Sequence, residues 1–117
     1  MQQIKGPGIF LAQFAGDESP FNNFPDICRW AASVGFKGIQ IPTFDTRLFD
    51  LKAAAESQQY CDDIAGVVKE AGLEITELST HLQGQLVAVN PAYDDMFDGF
   101  APVHLRKNPK ARTEWAI

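Results

Sequence analysis

Short apolar runs alternate with amphipathic stretches along most of the chain. The runs predict strands over 8–14, 36–43 and 73–81, because each is brief, contains β-branched or aromatic residues and is bounded by turn signals such as glycine. The first run lacks polar alternation, which predicts a strand buried on both faces. Beyond these runs the pattern weakens into a long loop or a broken helix, and the final segment HLRKNPKARTEWAI is expected to begin a further helix.

Two amphipathic stretches between these runs predict helices over 24–34 and 51–71. In the first, apolar residues recur at helical steps and form one apolar face. The second carries a comparable stripe through Cys61, Ile64 and Val68. Polar N-caps and terminal glycines are expected to bound the two helices: Asn22 or Asn23, Gly35, Asp50 and Gly72.

The chain contains an internal repeat. The segments VGFKGIQIPT and AGLEITELST each run from a helix end through a glycine into a strand and then to a threonine, with Gly35 and Gly72 37 residues apart. Alternating strands and helices form a parallel sheet with right-handed crossovers, and a βα unit of this length is typical of a (β/α)8 barrel. The predicted fold class is therefore α/β, a βαβαβ(α) portion of a (β/α)8 TIM barrel with parallel strands.

The repeat also assigns side chains to the two faces of the sheet, because side chains alternate along a strand. The more apolar face, which is expected to pack against the helices, holds Ile39, Ile41, Thr76 and Leu78. The polar face, which is expected to point into the barrel, holds Gln40, Glu77, Ser79 and His81. Active sites of such barrels lie at the carboxyl ends of the strands, so this face is a candidate site. The alternative is a strand-end histidine and a glutamate paired with a neighbouring strand.

Composition and charge narrow the functional classes. The 117 residues are 45% hydrophobic and carry a formal net charge of −5, which argues against a nucleic-acid partner because phosphate binding needs clustered Lys and Arg. The basic cluster at 106–112 is interpreted as a solvated helix flank. Cys28 and Cys61 lack metal-binding spacing and are expected to be buried free thiols. The sequence predicts no membrane span, no signal peptide and a cytoplasmic location.

Several segments resemble a known family: KGPGIFLAQFAGDESPFN, the pair GFKGIQIPTFD and RLFDL, and above all ELSTHLQGQLVAVNPAYD. They look like the N-terminal part of bacterial sugar phosphate isomerase/epimerase-like proteins, in the xylose-isomerase-like TIM barrel superfamily. The resemblance covers essentially the whole chain and implies one domain over 1–117. A complete barrel needs about 250 residues, so the chain is expected to supply about three of eight βα units.

The resemblance implies metal-assisted proton transfer next to a carbonyl group, with a sugar or sugar phosphate as substrate. The implied cofactor is a divalent metal (Mn, Mg or Zn) with most of its ligands outside this chain, and His81 is the candidate ligand within it. Glu77 is given a supporting catalytic role, because it lies four residues before the predicted strand end. The candidate substrate-binding residues are Gln40, Gln83, Gln85 and Arg47.

Other interpretations of these residues stay open. Solvation in a loop accounts equally well for Gln83 and Gln85, and a surface ion pair with Asp45 is the alternative for Arg47. One alternative function is an endonuclease IV-like metal-dependent phosphoesterase, which is less compatible with an acidic chain that has two histidines. Another is a non-catalytic α/β fragment that self-associates, because an open sheet has edges that pair with other chains. By itself the chain is expected to be inactive.

Overall fold

A computed structural model describes residues 6–117 of the chain. They fall into two compact units, one ending at Ser79 and the other spanning Thr80–Ile117. The single domain expected over 1–117 stays a prediction, and residues 1–5 of it lie outside the described part. Within the described part, no helix is both long enough and apolar enough to cross a membrane.

The unit that ends at Ser79 is built on a parallel sheet. Its strands are β1 (Gly8–Phe10), β2 (Gly38–Pro42) and β3 (Glu74–Ser79), and they lie in the order β1-β2-β3. Both neighbouring pairs are parallel. The α/β class and the parallel, adjacent arrangement of the three strands are therefore confirmed.

Helices connect the strands in the predicted order. Helix α1 (Phe24–Ser33) lies between β1 and β2, and helices α2 (Leu51–Glu56) and α3 (Gln58–Glu70) lie between β2 and β3. Their starts and ends follow from local side chains, as the sequence indicates. The side-chain oxygens of Asn23 and Asp50 accept hydrogen bonds from backbone N–H groups three residues further on, at 3.1 and 2.9 Å. Gly35 and Gly72 follow α1 and α3 with positive φ angles of 99° and 76°.

The prediction of one helix over 51–71 is wrong, because the helix is interrupted at Ser57. This residue has an extended backbone, with φ −136° and ψ 112°. Its Oγ accepts a hydrogen bond from the N–H of Tyr60 at 3.1 Å, so Ser57 ends α2 and caps α3. Serine favours such positions because its hydroxyl competes for backbone groups that a continuous helix would use.

The core lies between the sheet and one layer of helices. Ile9, Ile39 and Ile41 project from the strands towards the helices, and the two β2 residues are fully buried. They belong to a single cluster with residues from α1, α3 and the segments that flank them: Leu11, Phe24, Ile27, Cys28, Ala31, Leu48, Phe49, Val68 and Leu73. Because α1 and α3 both contribute to this cluster, they cover the same face of the sheet, as predicted.

Strand β1 is shorter and less buried than the sequence predicted. It ends at Phe10, and the chain continues into a 3₁₀ helix over Leu11–Gln13. Of its three residues only Ile9 is buried. Phe10 points away from the helices and is 57% exposed, so the prediction of a strand buried on both faces is wrong.

A β-bulge in β3 changes the alternation that the repeat predicted. The register pairs Ile39 with Ile75 and then Gln40 with Glu77, which leaves Thr76 as an extra residue on β3. A bulge of this kind re-aims the side chains that follow it. The repeat therefore predicts the Gln40–Glu77 alignment correctly, whereas the residues before it are shifted by one position.

Thr76 lies on a different face from the one predicted. Its hydroxyl donates a hydrogen bond to the carbonyl oxygen of Ile39 at 3.0 Å. A Cβ atom added at Gly38 would lie only 2.6 Å from the Thr76 methyl carbon, so this methyl group lies over Gly38. Leu78 pairs with Ile41 as expected but is 50% exposed, so the prediction that it packs against the helices is wrong.

The unit spanning Thr80–Ile117 contains short helices joined by turns: α4 (His81–Gly84), α5 (Asp94–Phe97) and α6 (Pro109–Ala116), with 3₁₀ turns at 91–93, 98–100 and 103–105. These elements agree with the predicted broken helix and the predicted final helix. The interpretation of 106–112 as a solvated flank is wrong at Arg112, which is 1% exposed. Arg112 is buried because it pairs with Asp94 of α5 and with Asp98 of the turn that follows α5.

Candidate functional site

Three side chains form a row across the face of the sheet that lies away from the helices. Phe10 of β1 is in register with Gln40 of β2, and Gln40 is in register with Glu77 of β3. The Nε2 group of Gln40 donates a hydrogen bond to Oε1 of Glu77. An exposed aromatic ring, an amide and a carboxylate therefore lie side by side on an accessible surface, and we refer to these three residues as the polar row.

The bulge at Thr76 positions the carboxylate of the polar row. Without the extra residue, the pairing of Ile39 with Ile75 would continue to Gln40 with Thr76 and would place a hydroxyl beside Gln40. With it, Glu77 reaches that position. The hydrogen bond from Thr76 Oγ1 to the Ile39 carbonyl holds the bulge to β2.

Sequence reasoning assigned Gln40 and Glu77 to this face correctly but missed Phe10. The signal was present in the repeated Gly-Ile dipeptide of Gly8-Ile9-Phe10 and Gly38-Ile39-Gln40, which the structure holds in register. Aligning these dipeptides places Phe10 beside Gln40. The 37-residue repeat alone does not reveal this neighbour, because it covers only β2 and β3.

His81 and the two candidate glutamines fall in the other unit. Strand β3 ends at Ser79, and His81 is the first residue of α4 rather than the last of a strand. The His81 side chain is exposed. Gln83 is 5% exposed within α4, so solvation in a loop does not describe it, whereas Gln85 is half-buried at the end of that helix.

Arg47 is engaged by two aspartates in the loop after β2. Its Nε and one terminal nitrogen donate to the two carboxylate oxygens of Asp45 at 3.0 and 2.7 Å, and the other terminal nitrogen donates to Asp17 at 2.6 Å. The side-chain hydrogen bonds from Arg47 lower the pKa of Asp45 below its ordinary value, although partial burial acts in the opposite direction. The same bonds raise the pKa of Arg47. The surface ion pair considered from the sequence is therefore formed, and an anionic ligand at Arg47 would compete with it.

Arg47 also lines an open cleft of about 380 Å³ between the start of α1, the loop after β2 and α3. Phe24, Phe49 and Ile64 contribute apolar surface, and Asp63 contributes a carboxylate. The polar row is not among the residues that line this cleft. The cleft and the polar row are therefore separate features of the same unit.

The described residues do not supply a metal centre of their own. Across 6–117, no group of three or more His, Cys, Asp and Glu side chains is arranged to hold a metal ion. A structural or catalytic site for a divalent metal needs several such ligands together. The divalent metal that the family resemblance implies, with most of its ligands outside this chain, stays a prediction.

Comparison of the sequence with protein-family models gives no match, and comparison with curated proteins gives none either. The assignment of a function consequently depends on the chemistry of the polar row and on the resemblance seen in the sequence.

Proposed function

We propose that the protein is part of a sugar or sugar phosphate isomerase or epimerase of the TIM barrel type, and that the polar row contacts the sugar. The supporting observation is the hydrogen-bonded Gln40–Glu77 pair beside an exposed phenylalanine ring. The three parallel strands are compatible with a portion of a (β/α)8 barrel, in which this face would point into the interior.

Each member of the polar row has a chemical role in this proposal. The flat ring of Phe10 offers an apolar surface to the C–H groups of a sugar. The amide of Gln40 both donates and accepts hydrogen bonds, which suits hydroxyl groups. One carboxylate oxygen of Glu77 is oriented by Gln40, and the other is available to accept a proton from a carbon next to a carbonyl group or to orient a substrate hydroxyl.

The roles assigned to the three side chains of the polar row do not depend on a divalent metal. A metal would supply polarisation of the carbonyl oxygen in such a reaction. His81 remains the candidate ligand from the sequence, and within 6–117 it is not part of a group of three or more His, Cys, Asp and Glu side chains that could hold a metal ion. Arg47, Gln83 and Gln85 remain proposed substrate contacts. A substrate that binds Arg47 would first have to displace the contacts of Arg47 with Asp17 and Asp45.

The test is a titration of the 117-residue protein with free ketoses and ketose phosphates, followed by amide-resolved NMR with and without a divalent metal. We expect shifts centred on Phe10, Gln40 and Glu77. Glu77→Gln, which keeps the size of the side chain, should weaken binding about tenfold because the charged hydrogen-bond acceptor is lost. Glu74→Gln is the matched control, since it removes an exposed carboxylate from the same strand without touching the polar row.

Shifts confined to Arg47 and the cleft, or equal affinities for the two variants, would exclude the polar row as the sugar site. A response to phosphate esters that lack a sugar would favour the phosphoesterase alternative. Absence of any response, together with a concentration-dependent mass, would favour the self-associating fragment. Substituting His81 with alanine should reduce metal affinity by about tenfold if His81 is a ligand.

A further inference from the structure

The Thr80–Ile117 unit has few buried apolar residues and one ion cluster, which surrounds a buried arginine. Its buried hydrophobic residues are Leu86 and Ala101, against a cluster of twelve in the unit that ends at Ser79. Its largest buried side chain is that of Arg112, which is charged. Because burial of apolar surface is the main stabilising contribution in most units, this one depends on polar contacts to an unusual degree.

Arg112 joins three segments of that unit. From α6, one terminal nitrogen donates to the backbone carbonyl of Asp94 at 2.8 Å and also to the carboxylate of Asp98, and the other donates to the carboxylate of Asp94 at 2.7 Å. The Asp98 carboxylate in turn accepts the backbone N–H of Lys107, at 3.1 and 3.0 Å to its two oxygens. Lys107 has a positive φ of 62°, which non-glycine residues rarely adopt, and this hydrogen bond helps to hold it there.

The guanidinium of Arg112 is buried and remains charged, so its stability in the interior depends on its carboxylate partners. Arg112 is 1% exposed, and its Nε has no hydrogen-bond partner within 6–117. A buried arginine that loses its carboxylates remains charged, because a guanidinium does not give up its proton in proteins. Neutralising one aspartate therefore removes one of the two carboxylates that pair with Arg112, and neutralising both leaves its charge uncompensated in the interior of the unit.

We propose that Arg112 and its two aspartates form an electrostatic clamp, which holds the Thr80–Ile117 unit closed and releases it on acidification while the sheet unit stays folded. Asp98 is the more enclosed carboxylate, with a side chain 13% exposed against 30% for Asp94. The charged residues around Asp98 are Arg112 of α6, Asp94 of α5, which shares that guanidinium, and Arg106 and Lys107 of the segment before α6.

The direction of the pH dependence follows from Asp98. Loss of hydration is the largest influence and raises its pKa, but the bonds from Lys107 and Arg112 outweigh it, and the net pKa lies below the ordinary value. A carboxyl group whose pKa is lower in the folded state stabilises that state above its ordinary pKa. This stabilisation is lost as the pH falls through the lowered value, so opening is expected on the acid side of an ordinary aspartate titration.

The test is an acid titration of the whole protein by amide-resolved NMR. The Lys107 amide, which donates to Asp98, reports the local titration. We expect the signals of 80–117 to lose dispersion together as this amide titrates, while those of 6–79 keep theirs. Simultaneous loss in both units, or retained dispersion in 80–117 after Asp98 is protonated, would overturn the proposal.

Variants separate the clamp from a general charge effect. At neutral pH, Asp98→Asn should raise amide hydrogen-exchange rates across 94–112 at least about tenfold, whereas Asp95→Asn, an exposed neighbour, should leave them unchanged. If Asp98→Asn unfolds the unit completely, the triple variant Asp94→Asn, Asp98→Asn and Arg112→Met, which removes the charges together, should restore protection. Equal exchange in the two single variants, or no recovery in the triple variant, would refute an electrostatic clamp.

Discussion

Replacing Gly38 with alanine tests the contact between β2 and the bulge at Thr76, which positions Glu77 in the polar row. Gly38 is buried in β2, and an alanine Cβ would lie 2.6 Å from the methyl carbon of Thr76. Thr76 cannot turn aside freely, because its hydroxyl donates to the Ile39 carbonyl at 3.0 Å. The next atom that the new Cβ would meet is the carbonyl oxygen of Glu74, at an ordinary 3.5 Å. The Thr76 methyl group is therefore the specific obstacle.

Two opposing contributions set the size of the effect. Overpacking of this kind typically costs about 1–3 kcal/mol. Alanine in place of glycine stabilises by about 0.4–1 kcal/mol where the backbone is compatible, because the unfolded chain loses conformational freedom. Gly38 does not have a positive φ angle, so this gain applies. We expect Gly38→Ala to lower the free energy of unfolding of the sheet unit by up to about 2.6 kcal/mol, with a middle value of about 1.3 kcal/mol.

Thr76→Ser provides the decisive control, since it removes the obstructing methyl group and keeps the hydroxyl that bonds to Ile39. In this background Gly38→Ala should become stabilising, by about 0.4–1 kcal/mol. The assay is urea unfolding followed by Trp30 fluorescence in a Trp115→Phe protein, so that the signal comes from the sheet unit. Equal destabilisation by Gly38→Ala in both backgrounds would refute the role of the methyl contact.

Two further predictions concern thiol reactivity and acid stability. Burial raises the pKa of Cys28 to about 12, so at mildly alkaline pH iodoacetamide should modify the half-buried Cys61 and spare Cys28, as measured by mass spectrometry; equal rates would contradict this. Because the folded pKa of Cys28 is raised, its contribution to stability is present below the ordinary thiol pKa and declines as the pH rises towards 12. Asp45 should titrate below its ordinary pKa in an NMR titration. The Arg47→Lys variant cannot form the bidentate contact with Asp45, so it should move the midpoint of the Asp45 titration upwards. Since this pKa is lowered in the folded state, the stabilisation by the pair is present above the ordinary aspartate pKa and is lost as the pH falls through the lowered value; an unchanged midpoint in Arg47→Lys would refute the assignment.

The sequence by itself determined the order of elements, several helix ends and part of the candidate site. Asn23, Asp50, Gly35 and Gly72 act through hydrogen bonds and dihedral angles within a few residues, so their roles are visible in the local pattern. The pairing of Gln40 with Glu77 followed from the repeat, because repeated βα units place equivalent residues side by side in a parallel sheet.

Tertiary structure decided the features that depend on neighbours distant in sequence. The bulge at Thr76 arises where β3 meets β2, and the exposure of Phe10 depends on which face of the sheet the helices cover. The burial of Arg112 depends on aspartates 14 and 18 residues away, and its charge gave no indication of burial within its own helix. Strand periodicity and local propensity describe one segment at a time, whereas register, exposure and ion pairing are properties of segments brought together by the fold.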